Sequence, residues 1–331
     1  MANKLDQYTE PIDGDTAAEP QNQATPDAID ARAAIAPHKN ALERMADYAE
    51  RFKNMPTAAC CGKNFTQFAK EMPPRGLCFV GGDPGSGKTS FLLNIAAGRI
   101  AAGKPTIMLT LEMSAPEILQ RLAAIVLKKP ANSVDSIDGF KKASFMAKLI
   151  LIEPTDCDAD GAAIFDADTL AADVADLRAK CGDQNADIML IVDSLNMLET
   201  PSANDERRAV NINIRALSRF AKANNVTTMC IAQSNRETTK DNAKKYFADF
   251  ADADAPGEYN FTPLLSAFRE SSLIEYIADC VFYVLKETAD PRDQTEVERQ
   301  IVTVKHRTQP PNSHVKLKFN RPTFTFKEYD N

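Results

Sequence analysis

The stretch LCFVGGDPGSGKT, residues 77–89, decides how the rest of the chain is read. Its first half, LCFVGG (77–82), is a short apolar run of the kind that forms a buried strand. A helix is predicted from Lys88 to about Ala102. Between them GDPGSGKT, Gly82 to Thr89, matches G-x-x-x-x-G-K-[ST] in the strand-then-helix setting that gives the pattern its meaning. Gly82, Gly85 and Gly87 let the backbone turn tightly and aim successive N–H groups at phosphate oxygens. The helix that follows offers the same anion its positive N-terminal end. Lys88 can reach the β- and γ-phosphates, and the Thr89 hydroxyl suits Mg²⁺. The candidate nucleotide-binding residues are Gly82, Asp83, Pro84, Gly85, Ser86, Gly87, Lys88, Thr89 and, one step into the helix, Ser90.

Beyond this loop the chain alternates. Further strands are predicted at TIMLTL (106–111), KLILIE (148–153), DIMLIVD (187–193) and VTTMCIAQ (226–233). Helices fall between them. One opens at a capping box, Ser114 to Glu117, and runs to Lys129, stopping at Pro130. The others span 168–180 and 205–224. Residues 234–265 read as a polar, irregular stretch, long for a loop in a compact domain. Close-spaced strands then follow in ADCVFYVL (278–285), RQIVTVKHR (299–307), HVKLKF (314–319) and TFTF (323–326). This order predicts an α/β fold: a mostly parallel sheet with helices on both faces and antiparallel strands added at one edge.

Three of the predicted strands carry a polar group at or just past their carboxyl end, where open α/β sheets bind ligands. Asp193 closes the fourth and suits a magnesium-positioning acid. Glu112 follows the second, where a carboxylate can orient the attacking water, and Gln233 closes the fifth, where an amide can sense a γ-phosphate. Lys305 and Arg307, two apart in IVTVKHRTQ, share one face of a late strand. They suit either a cationic finger for a phosphate in an adjoining subunit or plain protection of a sheet edge.

The outer parts of the chain bound the reading. Residues 1–26 hold few large apolar side chains and are expected to form a disordered acidic tail. Residues 27–74 are expected to form a helical arm or linker. In it Leu42, Met45, Tyr48 and Phe52 recur at helical spacing, either packed on their own domain or laid on a neighbouring subunit. The nucleotide domain is expected over 75–331. Net charge is −7, but residues 1–30 hold one lysine and seven acids, which leaves −1 for the other 301 residues. The folded part is nearly neutral, which excludes a strongly basic nucleic-acid coat though not a local basic path. No apolar run is long enough for a membrane helix and the N-terminus has no signal-peptide core. Seven cysteines without CxxC spacing read as reduced thiols of a cytoplasmic protein.

Five segments together carry a family resemblance. They are TLEMSAPEILQRL after the second strand, IVDSLNML at the fourth, IAQSNRE at the fifth, FRESSLIEYIADCVFYVL, and VKHRTQPPNSHVKLKF. In this order, from about residue 75 to 326, the chain resembles the RecA-like motor domain of hexameric replicative DNA helicases of the DnaB type. The resemblance implies a RecA-like P-loop NTPase that uses ATP and Mg²⁺. It implies nucleotide and metal binding at Lys88 and Thr89, a catalytic base at Glu112, a metal-side acid at Asp193 and coupling of nucleotide state to DNA at Gln233. It implies that Lys305 and Arg307 act across the interface of a homo-oligomeric ring, a hexamer, on single-stranded DNA, with replication proteins as further partners.

The family also carries a sizeable helical N-terminal domain; about 75 residues stand before the motor-like stretch here, so that domain is expected to be missing. The stretch expected to line the channel is mixed in charge. Residues 236–245 carry Arg236, Lys240, Lys244 and Lys245 against two acids, whereas 249–258 carry four acids and no base. Phosphate neutralisation dominates non-specific DNA affinity, so the candidate DNA contacts are these four cations with Arg207 and Arg208 before the long helix. The expected activity is an ATP-driven helicase or translocase motor. The alternative is a RecA-fold regulatory or assembly ATPase that acts on a protein partner and unwinds nothing.

Overall fold

All seven residues of strand β1 (Gly76–Gly82) are buried. Because alternate side chains of a strand point to opposite faces, Leu77 and Phe79 enter one core while Cys78 and Val80 enter another. A strand apolar on both faces belongs in the middle of a covered sheet, and β1 lies there. The computed structural model describes residues 61–132, 148–153, 165–234, 261–268, 272–286 and 294–329.

Nine strands form one sheet in the order β3-β2-β4-β5-β1-β6-β7-β8-β9. Strands β2 (Thr106–Thr110), β3 (Leu149–Ile152), β4 (Met189–Asp193), β5 (Thr227–Ile231) and β6 (Cys280–Lys286) run parallel to β1. Strands β7 (Glu296–His306), β8 (His314–Asn320) and β9 (Thr325–Glu328) extend the β6 side as an antiparallel meander. This is the mixed sheet expected from the sequence. Helices α2 (Lys88–Ala101) and α3 (Ala115–Leu127) cover one face, where Phe91, Ile95, Ile118 and Leu122 pack on Val80, Met108 and Ile191. Helices α4 (Ala167–Cys181) and α5 (Glu206–Asn224) cover the other, where Val174, Ile214 and Leu217 pack on Phe79, Leu190 and Val192.

The helix ends follow from their capping residues. Ser114 and Glu117 form the reciprocal box at the start of α3. Asp166 accepts from the backbone N–H of Asp168 and Thr169 at α4, and Asp205 from that of Arg208 at α5. Helix α3 stops at Lys128, in the left-handed conformation (φ 52°), two residues before Pro130.

Some boundaries differ from the sequence reading. Strand β5 ends at Ile231, so Gln233 lies two residues past the strand rather than at its end. Strand β9 begins at Thr325 because residues 321–324 form the turn, with Phe324 at φ 53°. Within the region read as linker, α1 (Phe68–Glu71) and its flanks place Phe65, Phe68 and Met72 against Phe91 and Phe282 in the α2–α3 core. Residues 1–60, including the expected tail and the Leu42–Phe52 face, lie outside the described residues.

One buried ion pair joins α2 to the chain just before β4. The Arg99 guanidinium, with no solvent exposure, meets Asp187 Oδ2 at 3.1 Å and donates to the Asp187 carbonyl at 2.8 Å. Breaking such a pair from one side strands a charge in the interior. Asp187→Ala is therefore expected to lower unfolding free energy by about 3–5 kcal/mol, read from the urea midpoint.

Candidate nucleotide and hydrolysis site

The six parallel strands end on one edge of the sheet, and a cleft of about 620 Å³ opens there. Its walls include the phosphate loop, Glu112, Asp193 and Gln233. The loop requires its glycines. Gly82 stands at φ +147°, and a Cβ there would lie 2.6 Å from Ser86 Oγ and 2.8 Å from the Val284 carbonyl. Gly87, the residue before α2, stands at φ +97° with the Phe326 ring close behind. Only glycine takes these angles without strain.

Lys88 reaches back from the first turn of α2. Its ammonium donates to the carbonyls of Gly82 at 2.8 Å and Asp83 at 3.1 Å, which holds it over the loop. Burial pushes its pKa down, against the pull of Asp83, Glu112 and Asp193. Thr89 donates to Asp193 Oδ2 at 2.8 Å, so the loop hydroxyl and the strand-end acid meet although 104 residues separate them. Asp193 is buried and its pKa is raised to about 6, chiefly by desolvation. Its second oxygen, Oδ1, is buried without a hydrogen-bond partner. A threonine hydroxyl beside an underused carboxylate is a set of hard oxygen donors that suits Mg²⁺, which keeps most of its shell as phosphate and water. Among the described residues no group of three or more His, Cys, Asp or Glu gathers as a metal cage.

Glu112 stands on the far wall. The backbone N–H groups of Leu111 and Glu112 donate to the Asp193 carbonyl at 2.7 and 3.3 Å, which ties the end of β2 to that of β4. The Ser194 hydroxyl donates to Glu112 Oε1 at 2.6 Å and fixes the carboxylate. Glu112 is exposed to the cleft while Asp193 is not. The two acids thus differ in environment, one open to the cleft and one buried beside Thr89.

Several residues that hold the site were not singled out in the sequence. Arg121 lines the cleft from α3, its guanidinium 4.9 Å from the Phe324 ring centroid and its pKa lowered by burial. Its one signal was a cation between the buried Ile118 and Leu122. Ser194 looked like an ordinary residue after a strand. Three side chains from β6 and β7 fasten the phosphate loop: Tyr283 on Asp83, Lys286 on the Pro84 carbonyl and Arg299 on the Ser86 carbonyl. Nothing local in the sequence marks them, because they reach the loop only through strand pairing.

Lys305 and Arg307 are not in this cleft. Lys305 pairs with Val281, whereas Gly82 pairs with Val284. Lys305 therefore sits three residues back along β6, about 10 Å at a strand's rise, and one strand farther out. It donates to the carbonyls of Glu275 and Ala278, and burial pushes its pKa down. Arg307 meets Asp279 Oδ1 at 3.2 Å and donates to the carbonyls of Tyr276 and Ile277 at the end of α6 (Ser272–Ile277). Arg207 and Arg208 are exposed on the first turn of α5. Arg236, Lys240, Lys244 and Lys245 lie outside the described residues.

Comparisons with known proteins agree with this architecture. Over 283 residues the chain is 25% identical to the replicative DNA helicase DnaB of Haemophilus influenzae, covering 81% of this chain and 54% of the relative. Over 257 residues it is 26% identical to the corresponding helicase of Leifsonia xyli subsp. xyli, covering 74% and 50%. The chain thus spans about half the length of the curated relatives it matches. Two solved structures share the fold at 16% identity and a TM-score of 0.63. One is a DnaB-like replicative helicase described with its interactions with primase, covering 89% of this chain and 68% of that one; the other is an ATPase domain, covering 89% and 100%. Residues 63–328 match the family model of the DnaB-like helicase C-terminal domain, and the chain belongs to that family.

Proposed function

We propose that this chain is the ATP-driven motor of a DnaB-like helicase, a homo-oligomeric, hexameric ring that hydrolyses ATP between subunits while bound to single-stranded DNA. The observation that carries the reading is the convergence of Lys88, the Thr89–Asp193 pair and the Ser194-held Glu112 on one cleft at the strand ends. In it the loop amides and Lys88 bind the triphosphate and orient its γ-phosphate. Glu112 orients the attacking water and receives its proton. Thr89 and Asp193 would hold Mg²⁺, which would supply neutralisation of the triphosphate's charge. Gln233, on the cleft wall, senses the γ-phosphate and passes its presence to the segment that follows. Lys305 and Arg307, turned away from their own cleft, serve the nucleotide of the neighbouring copy.

In this reading 1–26 is a tail and 75–331 the motor, while the arm expected over 27–74 lends its end, from Phe65 to Met72, to the motor's core. Replication proteins are partners, and the site of action is the cytoplasm. DNA is met by Arg207, Arg208, Arg236, Lys240, Lys244 and Lys245 in a modest, salt-sensitive grip. Among the described residues no helix is long and apolar enough to cross a membrane. The test is phosphate release by the full chain with Mg²⁺ and ATP, with and without oligo(dT), alongside oligomeric mass and strand displacement. The reading expects an assembly whose turnover rises with oligo(dT) and which separates strands. A monomer with no phosphate release under either condition contradicts it.

A further inference from the structure

A buried imidazole stands between Lys305 and Arg307. His306 closes β7 opposite Cys280. Alternate strand side chains face opposite ways, and His306 is buried while Arg307 is exposed. The ladder ends at His306, so Arg307 is the first residue of the connection to β8. Whatever holds that connection also holds the backbone of the finger.

The backbone N–H groups from Arg307 to Asn312 can be followed one by one. That of Arg307 goes to the Asp279 carbonyl at 2.9 Å, and that of Asn312 to the Thr303 carbonyl at 2.8 Å. Residues 310 and 311 are prolines and have none. The two that are left, on Thr308 and Gln309, both donate to His306 Nδ1, at 3.2 and 3.0 Å. The Thr308 hydroxyl lies 3.4 Å from the same nitrogen. A ring nitrogen that accepts must carry a lone pair, so the ring is neutral with its proton on Nε2. Burial favours that form and lowers the pKa of His306, against the pull of the Glu71 carboxylate and backbone on α1 and of Asp279 before β6. One side chain thus satisfies two consecutive donors immediately after the finger.

We propose that His306 is a positioning residue for Arg307: by accepting from Thr308 and Gln309, its Nδ1 fixes the turn that follows the finger, and with it the angle at which the guanidinium is presented to the nucleotide of the neighbouring copy. This rests on the motor reading above and adds to it a second residue on the finger's side of the interface. Two variants separate the acceptor from the packing. His306→Phe fills the buried space with a ring that accepts nothing. His306→Asn leaves space but supplies a carbonyl oxygen of the kind that accepts from N–H groups just ahead of it in the chain. Neither keeps the ring's approach to Glu71, so their difference isolates the Nδ1 acceptor.

The experiment compares the full-length wild type, Arg307→Ala, His306→Phe and His306→Asn in phosphate release with Mg²⁺, ATP and oligo(dT), in binding of a fluorescent ATP analogue and in oligomeric mass. His306→Phe is expected to assemble, to bind the analogue as the wild type does, and to lose roughly 5–100-fold in turnover, the span of two net hydrogen bonds. His306→Asn is expected to recover most of that loss. Mixing then locates the defect. Combined with Glu112→Gln, which keeps His306 and Arg307, His306→Phe is expected to rise above the mean of the two components. Combined with Arg307→Ala it is expected not to rise, because every interface then lacks a well-held finger. Wild-type turnover in His306→Phe beside an inactive Arg307→Ala overturns this inference alone. So does an asparagine variant no better than the phenylalanine one, or a rise on mixing with Arg307→Ala, which would put His306 at its own cleft. Failure of both variants to assemble overturns it too, since the ring then serves the fold. Normal hydrolysis by Arg307→Ala overturns the finger first and this inference with it.

Discussion

Arg307→Ala lowers ATP turnover by about 10³–10⁵-fold, the range for loss of an arginine finger, and leaves nucleotide binding nearly unchanged. Both halves follow from where the side chain is. Nucleotide binding relies on Gly82–Thr89 at the carboxyl ends of the parallel strands, whereas Arg307 follows β7 at the opposite end of β6, braced by Asp279 and the carbonyls of Tyr276 and Ile277. Its side chain is 44% exposed while it pairs with Asp279. In the proposed ring a cation so placed would serve the developing charge on a neighbour's γ-phosphate and would add nothing to its own site. Steady-state phosphate release and titration with a fluorescent ATP analogue separate the two quantities. Normal hydrolysis by this variant removes Arg307 from the chemistry.

Glu112→Gln is the second large effect. The variant keeps the shape of the side chain and an oxygen to accept from Ser194, so the wall of the cleft persists. In the proposed mechanism it loses the negative charge that would orient water and receive its proton, which is worth about 10²–10⁴ in rate. Turnover falls by that factor while ATP binding and assembly persist, and nucleotide stays bound unhydrolysed in single-turnover chase experiments. In the proposed mechanism Asp193 does not substitute, because it stands on the metal side of the cleft with the Thr89 hydroxyl on its Oδ2. Retained turnover would assign the base elsewhere.

What the sequence could and could not tell follows from the range of the forces involved. The phosphate loop, the capping box at Ser114 and the strand cores are local patterns, in which spacing and composition fix the outcome within a few residues. Asp193 and Glu112 were also legible, because a polar residue that ends an apolar strand has few structural reasons to be there. The residues that brace the site were not. Arg299 and Tyr283 meet the phosphate loop more than 190 residues away along the chain, through the register of β1, β6 and β7. Arg121 looks like any cation on a helix until α3 is packed beside the cleft. Gln233 was placed at the end of its strand because the apolar pattern runs on through Ile231 and Ala232; the ladder itself stops at Ile231, so the amide gains the freedom of a loop.

The central claim is that one copy cradles the triphosphate and its neighbour supplies the cation, and mixing two inactive variants tests it most directly. Arg307→Ala subunits retain the loop and Glu112; Glu112→Gln subunits retain Arg307. Each is expected to be inactive alone. When they are mixed over a range of ratios and allowed to exchange, interfaces form that unite an intact cleft with an intact finger. Single-turnover hydrolysis should then reappear and peak near equal proportions. A mixture as inactive as its components at every ratio contradicts a site shared between two copies of this chain.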